Sequence, residues 1–202
     1  DDDPLIDVRE IIPDVVVDVR YATADNFLKE PVYPFPAVYL RRSTARKLAK
    51  AGRLLRSKGY RLRLFDGYRP LSVQKRMWEI KPDARYIADP KRGSWHNRGG
   101  AVDAALADAS GRALEMPSDY DDFSAKAAGG YEGASPAAKR HLSILRDAMD
   151  SAGFRSLKEE WWHYHDPETR YHPLLDVGFE DLRRARGARS IDRRESGIIQ
   201  RP

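Results

Sequence analysis

The 202 residues include no cysteine. That excludes a disulfide scaffold and any thiolate site, so a bound metal has to be held by histidine and carboxylate. Long apolar runs are missing too, and no stretch nears the ~20 residues that a helix needs to cross a bilayer. A strong charge of one sign is absent from the body of the chain. The formal net charge is +5, but residues 180–202 hold seven arginines against four acids and account for most of it. With no basic stripe interleaved with aromatics, a nucleic-acid surface is excluded. The sequence as given opens Asp1-Asp2-Asp3-Pro4, without a methionine or an apolar stretch at its start. The expectation is an exported, trimmed protein of the periplasm or cell envelope, with a cytoplasmic protein as the alternative.

What is present is the composition of a globular domain with a real core, 41% hydrophobic and 33% charged. Val15 to Val19 is a β-branched run that predicts a strand. The proline-rich passage Pro31 to Pro36 excludes helix and central strand, and it is expected to brace the surface, with a wall of a cleft as the alternative. Ser43 is placed as the N-cap of a helix with Ala45, Leu48, Ala49, Ala51, Leu54 and Leu55 at helical spacing, ended by Gly59. The alternation Arg61 to Phe65 predicts a strand that runs through the Asp66-Gly67 turn into a helix over Leu71 to Ile80, with Pro70 at its start. Ala101 to Leu106 predicts a strand with Ala101, Asp103 and Ala105 on one face. Residues 116–135 read as a long loop, and Pro136 to Ala152 as a helix in which His141 is a surface or packing residue rather than a ligand. Strands are expected over Glu159 to His165 and over His172 to Val177.

The chemistry centres on Ser94-Trp95-His96-Asn97-Arg98-Gly99-Gly100-Ala101-Val102-Asp103. His96 and Asp103 are ordinary zinc ligands. Their odd offset would send them to opposite faces of one straight strand, and Gly99-Gly100 permits the bend that brings them together. Between two alanines, an isolated Asp103 carboxylate needs a cation or strong hydrogen bonds. The late stretch Glu159-Glu160-Trp161-Trp162-His163-Tyr164-His165 supplies a third ligand, either His163 or His165, which share a strand face. Three ligands leave a position for water, the mark of catalytic rather than structural zinc. An extra carboxylate beside it is a natural general base, and a nearby arginine suits an oxyanion. Arg69 lies where a strand turns into a helix, against the alternative of a surface arginine in a salt bridge.

Taken in order, Asp-Gly-Tyr-Arg-Pro, Ser-x-His-x-x-Gly-x-Ala-x-Asp and Glu-Trp-Trp-His resemble the zinc D-alanyl-D-alanine dipeptidases of the vancomycin-resistance type. The likeness runs from about Asp7 to Phe179. It implies an α+β fold, a single domain over residues 1–179 with a central antiparallel sheet flanked by helices and a zinc cleft. The arginine-rich tail over 180–202 lies outside the likeness and reads from its own sequence as helical or disordered. The likeness also implies one Zn2+ held by His96, Asp103 and His163, with Glu160 as catalytic base and Arg69 stabilising the transition state. Ser94 corresponds to a substrate-contacting serine, and Tyr21 and Asp121 to residues near the substrate's amino end. A carboxylate there can pair with a free ammonium and select a dipeptide over a longer peptide. The implied partner is a small dipeptide, with no nucleic acid and no membrane span. Two alternatives are a carboxypeptidase or endopeptidase acting on peptidoglycan stem peptides, and a non-catalytic zinc-stabilised binding domain.

Overall fold

The structure, a computed structural model, describes residues 2–84 and 86–187. The strand β4 (Tyr60–Asp66) grows from the predicted alternation and lies second in a five-stranded sheet of order β2-β4-β5-β7-β6. The neighbours are β2 (Val16–Val17), β5 (Ala101–Asp108), β6 (Arg155–Ser156) and β7 (His163–His165). All pairings are antiparallel except that of β2 with β4, which is parallel. A separate antiparallel pair joins β1 (Leu5–Asp7) to β3 (Tyr39–Arg41).

Register divides the sheet into two faces. Leu62 lies opposite Leu106, Leu64 opposite Ala104, and Val102 opposite Tyr164. Directly opposed residues share a face, so these side chains form one apolar surface. It is covered by α1 (Arg42–Arg56), packed on β4, and by α3 (Pro136–Ser151), packed on β5 and on α1. Leu48, Leu55, Leu145 and Met149 are buried there. Asp103, opposite His163, projects from the other face. These two helices and the polar residues are thus segregated by the two-residue period of the strands.

Several predicted elements differ in detail. The expected strand at Val15 to Val19 shrinks to two residues. Ser43 is not the N-cap of α1. The helix begins at Arg42, and the cap is supplied from afar: the Asp3 carboxylate accepts the Ser43 N–H at 2.8 Å and its hydroxyl at 2.6 Å, an anion at the positive end of the helix. Leu54, placed on the apolar stripe, is exposed. The helix α2 (Leu71–Ile80) has its predicted bounds, with Pro70 as N-cap. In α3, Ser135 caps the Ala138 N–H, and His141 packs with Nδ1 donating to the Glu115 carbonyl.

The strand expected over Glu159 to His165 exists only from His163. Before it, the Trp161 N–H donates to the Ala127 carbonyl, which takes the chain out of the ladder. No strand forms over His172 to Val177. That segment is an extended strap whose hydrogen bonds go to Leu71, Asn97 and the Tyr68 hydroxyl. The proline-rich passage is more than a surface brace, because Tyr33 is buried and stacks on Phe179 with ring centres 4.5 Å apart. Residues 179–187 are helical, with Phe179 and Leu182 buried, while the later tail arginines lie outside the described residues. Among the described residues no helix is long and apolar enough to cross a membrane.

Candidate active site

His96 and Asp103 converge because their two glycines do different work. His96 opens a short 3-10 turn, His96–Arg98, which Gly99 ends in the left-handed region at φ 72°. Gly100 lies against the turn at Pro167–Tyr171 so closely that a Cβ would collide with the Thr169 side chain. The chain then enters β5, where Asp103 lies directly across from His163 of β7. His96 is therefore brought in by a turn, whereas Asp103 and His163 meet by antiparallel register.

The three donor atoms form a tight triangle. His96 Nε2 is 3.4 Å from Asp103 Oδ1 and 3.2 Å from His163 Nδ1, and His163 Nδ1 is 3.3 Å from Asp103 Oδ1. All three residues are buried. The His96 Nδ1–H donates to the Gly67 carbonyl at 2.7 Å, so Nε2 presents a lone pair to the triangle. Asp103 Oδ2 accepts from the Tyr120 hydroxyl at 2.9 Å, while Oδ1 is buried without a hydrogen bond. Lone pairs facing one another across buried space call for a cation. The spacing suits zinc, since tetrahedral ligands at ~2.0–2.1 Å from the ion stand about 3.3–3.4 Å apart. His165, the other candidate ligand, stacks on Trp95 instead at 4.5 Å between ring centres and stays outside the triangle.

The triangle forms one wall of a cavity of about 260 Å³. Glu160 and Arg69 line the same cavity, as do Ser94, Tyr21 and Asp121, so the structure brings together every site residue predicted from sequence. Glu160 Oε2 stands 3.9 Å from His163 Nδ1. Burial, aided by the Asp103 charge, pushes the Glu160 carboxyl up to about 8. Asp103 behaves oppositely. Burial would raise it, but the adjacent His96 and His163 imidazoles outweigh that and hold it well below the usual carboxylate range. Asp121 accepts from the Tyr21 hydroxyl at 2.8 Å, and burial raises its carboxyl to about 7. The Ser94 hydroxyl accepts the Asn97 N–H at 3.3 Å while the Asn97 side chain accepts the Ser94 N–H at 2.8 Å, a reciprocal clamp on the turn that carries His96.

Arg69 is no surface residue. It is buried in an ion pair with Asp66, and its side chain crosses the Tyr21 ring. Tyr120 and Asp66 also adjoin the site without being evident from sequence. Tyr120 carries no signal beyond its place next to Asp121, and Asp66 reads as part of a turn motif, although its spacing of three from Arg69 is a visible clue.

Two buried imidazoles and a carboxylate, with a second carboxylate and a guanidinium on the same cavity, make up the constellation of a metallopeptidase. A family profile described as D-ala-D-ala dipeptidase matches residues 1–177. The chain is 33% identical over 171 residues to a D-alanyl-D-alanine dipeptidase of Escherichia coli (strain K12), covering 85% of this chain and 89% of the relative. It is 30% identical over 176 residues to a D-alanyl-D-alanine dipeptidase of Enterococcus faecalis, covering 77% and 87%. Among solved structures, the LdcB LD-carboxypeptidase matches with a TM-score of 0.45 and 21% identity, covering 83% of this chain and 72% of that one. The chain belongs to the D-Ala-D-Ala dipeptidase family, and it is an enzyme of the hydrolase class.

Proposed function

We propose that this enzyme hydrolyses D-Ala-D-Ala, or a related small dipeptide with a D residue, using one zinc ion held by His96, Asp103 and His163. The observation that carries this reading is the triangle of donor atoms at 3.2–3.4 Å with Glu160 and Arg69 lining the same cavity. Bound there, zinc would supply a Lewis acid for the scissile carbonyl and lower the pKa of the attacking water. Glu160 takes the proton of that water and passes it to the leaving amine. Its Oε2, 3.9 Å from His163 Nδ1 beside the triangle, is within reach for both transfers. Arg69 presents its guanidinium to the oxygen on which negative charge develops, in a cavity where water screens little.

Asp121 pairs with the substrate ammonium, and the Tyr21 hydroxyl orients that carboxylate. Ser94 contacts substrate from the turn that holds His96. A buried carboxylate at the amino end rejects a blocked amine, because acylation removes the charge and leaves the carboxylate unpaired. Free D-Ala-D-Ala and an N-acetylated tripeptide ending in D-Ala-D-Ala, assayed side by side, test the reading. Turnover of the free dipeptide alone is expected. Comparable kcat/KM on the blocked peptide would assign a carboxypeptidase, and no turnover of either would leave a binding domain.

A further inference from the structure

Asp66 takes no part in the roles assigned above, yet it is the most heavily engaged carboxylate near the cavity. Its position depends on an irregularity of the sheet. Residues of β4 and β5 pair one to one as far as Leu64 opposite Ala104; then Phe65 is bulged out and Asp66 falls opposite Asp103. Without that extra residue Asp66 would pair with Val102, on the face covered by helices. The bulge thus aligns Asp66, Asp103 and His163 across three strands.

From there Asp66, almost wholly buried, serves four donors. Oδ1 accepts from the Tyr33 hydroxyl at 2.8 Å and the Gly67 N–H at 2.9 Å, and Oδ2 from Arg69 Nε at 3.1 Å and Nη2 at 2.7 Å. Gln74, buried on α2, holds the other side of the guanidinium: its Oε1 accepts from Arg69 Nη1 at 2.8 Å, and its Nε2 is anchored on the Ala88 carbonyl at 2.7 Å. Arg69 lines the cavity, whereas Asp66 does not. Three of the five guanidinium N–H groups are engaged by acceptors that are themselves fixed, so the plane of the fork is set before substrate arrives.

We propose that Asp66 is a positioning residue for the reaction, acting with Gln74 to hold the Arg69 guanidinium against the cavity without touching substrate. The proposal rests on the oxyanion role given to Arg69. A group that works only through Arg69 has no effect once Arg69 is gone, and a double-mutant cycle measures this. Asp66→Asn, Arg69→Ala and the double variant are compared for kcat, KM and zinc content on D-Ala-D-Ala. Asp66→Asn is expected to lower kcat on the order of 10²-fold, the cost of a misplaced transition-state donor. KM stays within about threefold and zinc stoichiometry is unchanged, as for an interaction made in the transition state. The double variant is no more than about twofold slower than Arg69→Ala.

Wild-type kcat in Asp66→Asn, losses that multiply in the double variant, or a loss of zinc would overturn the positioning role. The failure of the underlying reading looks different: Arg69→Ala would then keep wild-type kcat. If Asp66→Asn does not fold, Gln74→Leu in the same cycle decides. A loss shared with Arg69→Ala supports the proposal, and an undiminished kcat overturns it.

Discussion

At the scale of single residues, the environment of each carboxylate decides what it can do. Asp103, between two imidazoles and under the Tyr120 hydroxyl, is kept ionised and suits a cation. Glu160, under a quarter exposed and facing the Asp103 charge, holds its proton to about 8 and suits proton transfer. Two groups of the same chemistry are thus driven by their surroundings to opposite roles, one a ligand and one a carrier of protons. Replacing Glu160 by Ala should therefore lower kcat by about 10²–10⁴-fold, the usual contribution of a general acid–base. Zinc content, measured on the same preparation, should stay at that of the unsubstituted enzyme, because the ligand triangle does not include Glu160. Retained hydrolysis at full zinc occupancy would remove Glu160 from the mechanism.

At the scale of elements, the site is assembled by one turn and one register. The turn is the His96–Arg98 segment with its two glycines. Gly99→Ala forces a side chain into the left-handed region, at a cost of about 1–2 kcal/mol. Gly100→Ala drives a methyl into Thr169, and overpacking of that kind costs about 1–3 kcal/mol. Both variants should melt earlier, by about 2–4 °C per kcal/mol in a chain of this size. The second should be partly relieved by Thr169→Gly, which takes away the atoms struck. Thermal unfolding of the four proteins measures it; equal melting of Gly100→Ala with and without Thr169→Gly would show that the close approach is not what requires glycine there.

At the scale of the whole molecule, the buried site opposes stability above neutral pH. Asp121, raised from 3.8 to about 7, and Glu160, raised from 4.5 to about 8, both keep protons in the folded chain that the unfolded chain has lost. Where the folded state binds more protons, stability falls as pH rises. The raised His96 acts in the same direction. His163 and His165, which burial depresses below their ordinary 6.5, act in reverse, but only up to that value, above which an unfolded histidine is neutral too. The metal-free protein should therefore lose thermal stability between about pH 6.5 and 8. Asp121→Asn combined with Glu160→Gln should flatten the profile. A melting temperature of the unsubstituted metal-free chain that is level or rising across that interval would contradict it.

The same three scales separate what sequence determined from what it did not. Sequence by itself specified the helices α2 and α3, the strands β4 and β5 and eight of the residues that line the cavity, because helical spacing, two-residue alternation and dense motifs are local patterns. It also specified the need for a bend between His96 and Asp103, since an odd offset and a double glycine can be read without a fold. The tertiary structure alone put His163, rather than His165, into the triangle: both lie on one strand face, and only the pairing of β5 with β7 sets one of them opposite Asp103. It alone revealed the Asp3 cap on α1, the strap over His172 to Val177 and the short strands β1, β3 and β6. Two- and three-residue elements have no period to detect, and a cap from forty residues away leaves no local trace. The place of Asp66 beside Arg69 follows from one bulged residue at Phe65, and register across a sheet is a property of the pair of strands, not of either sequence.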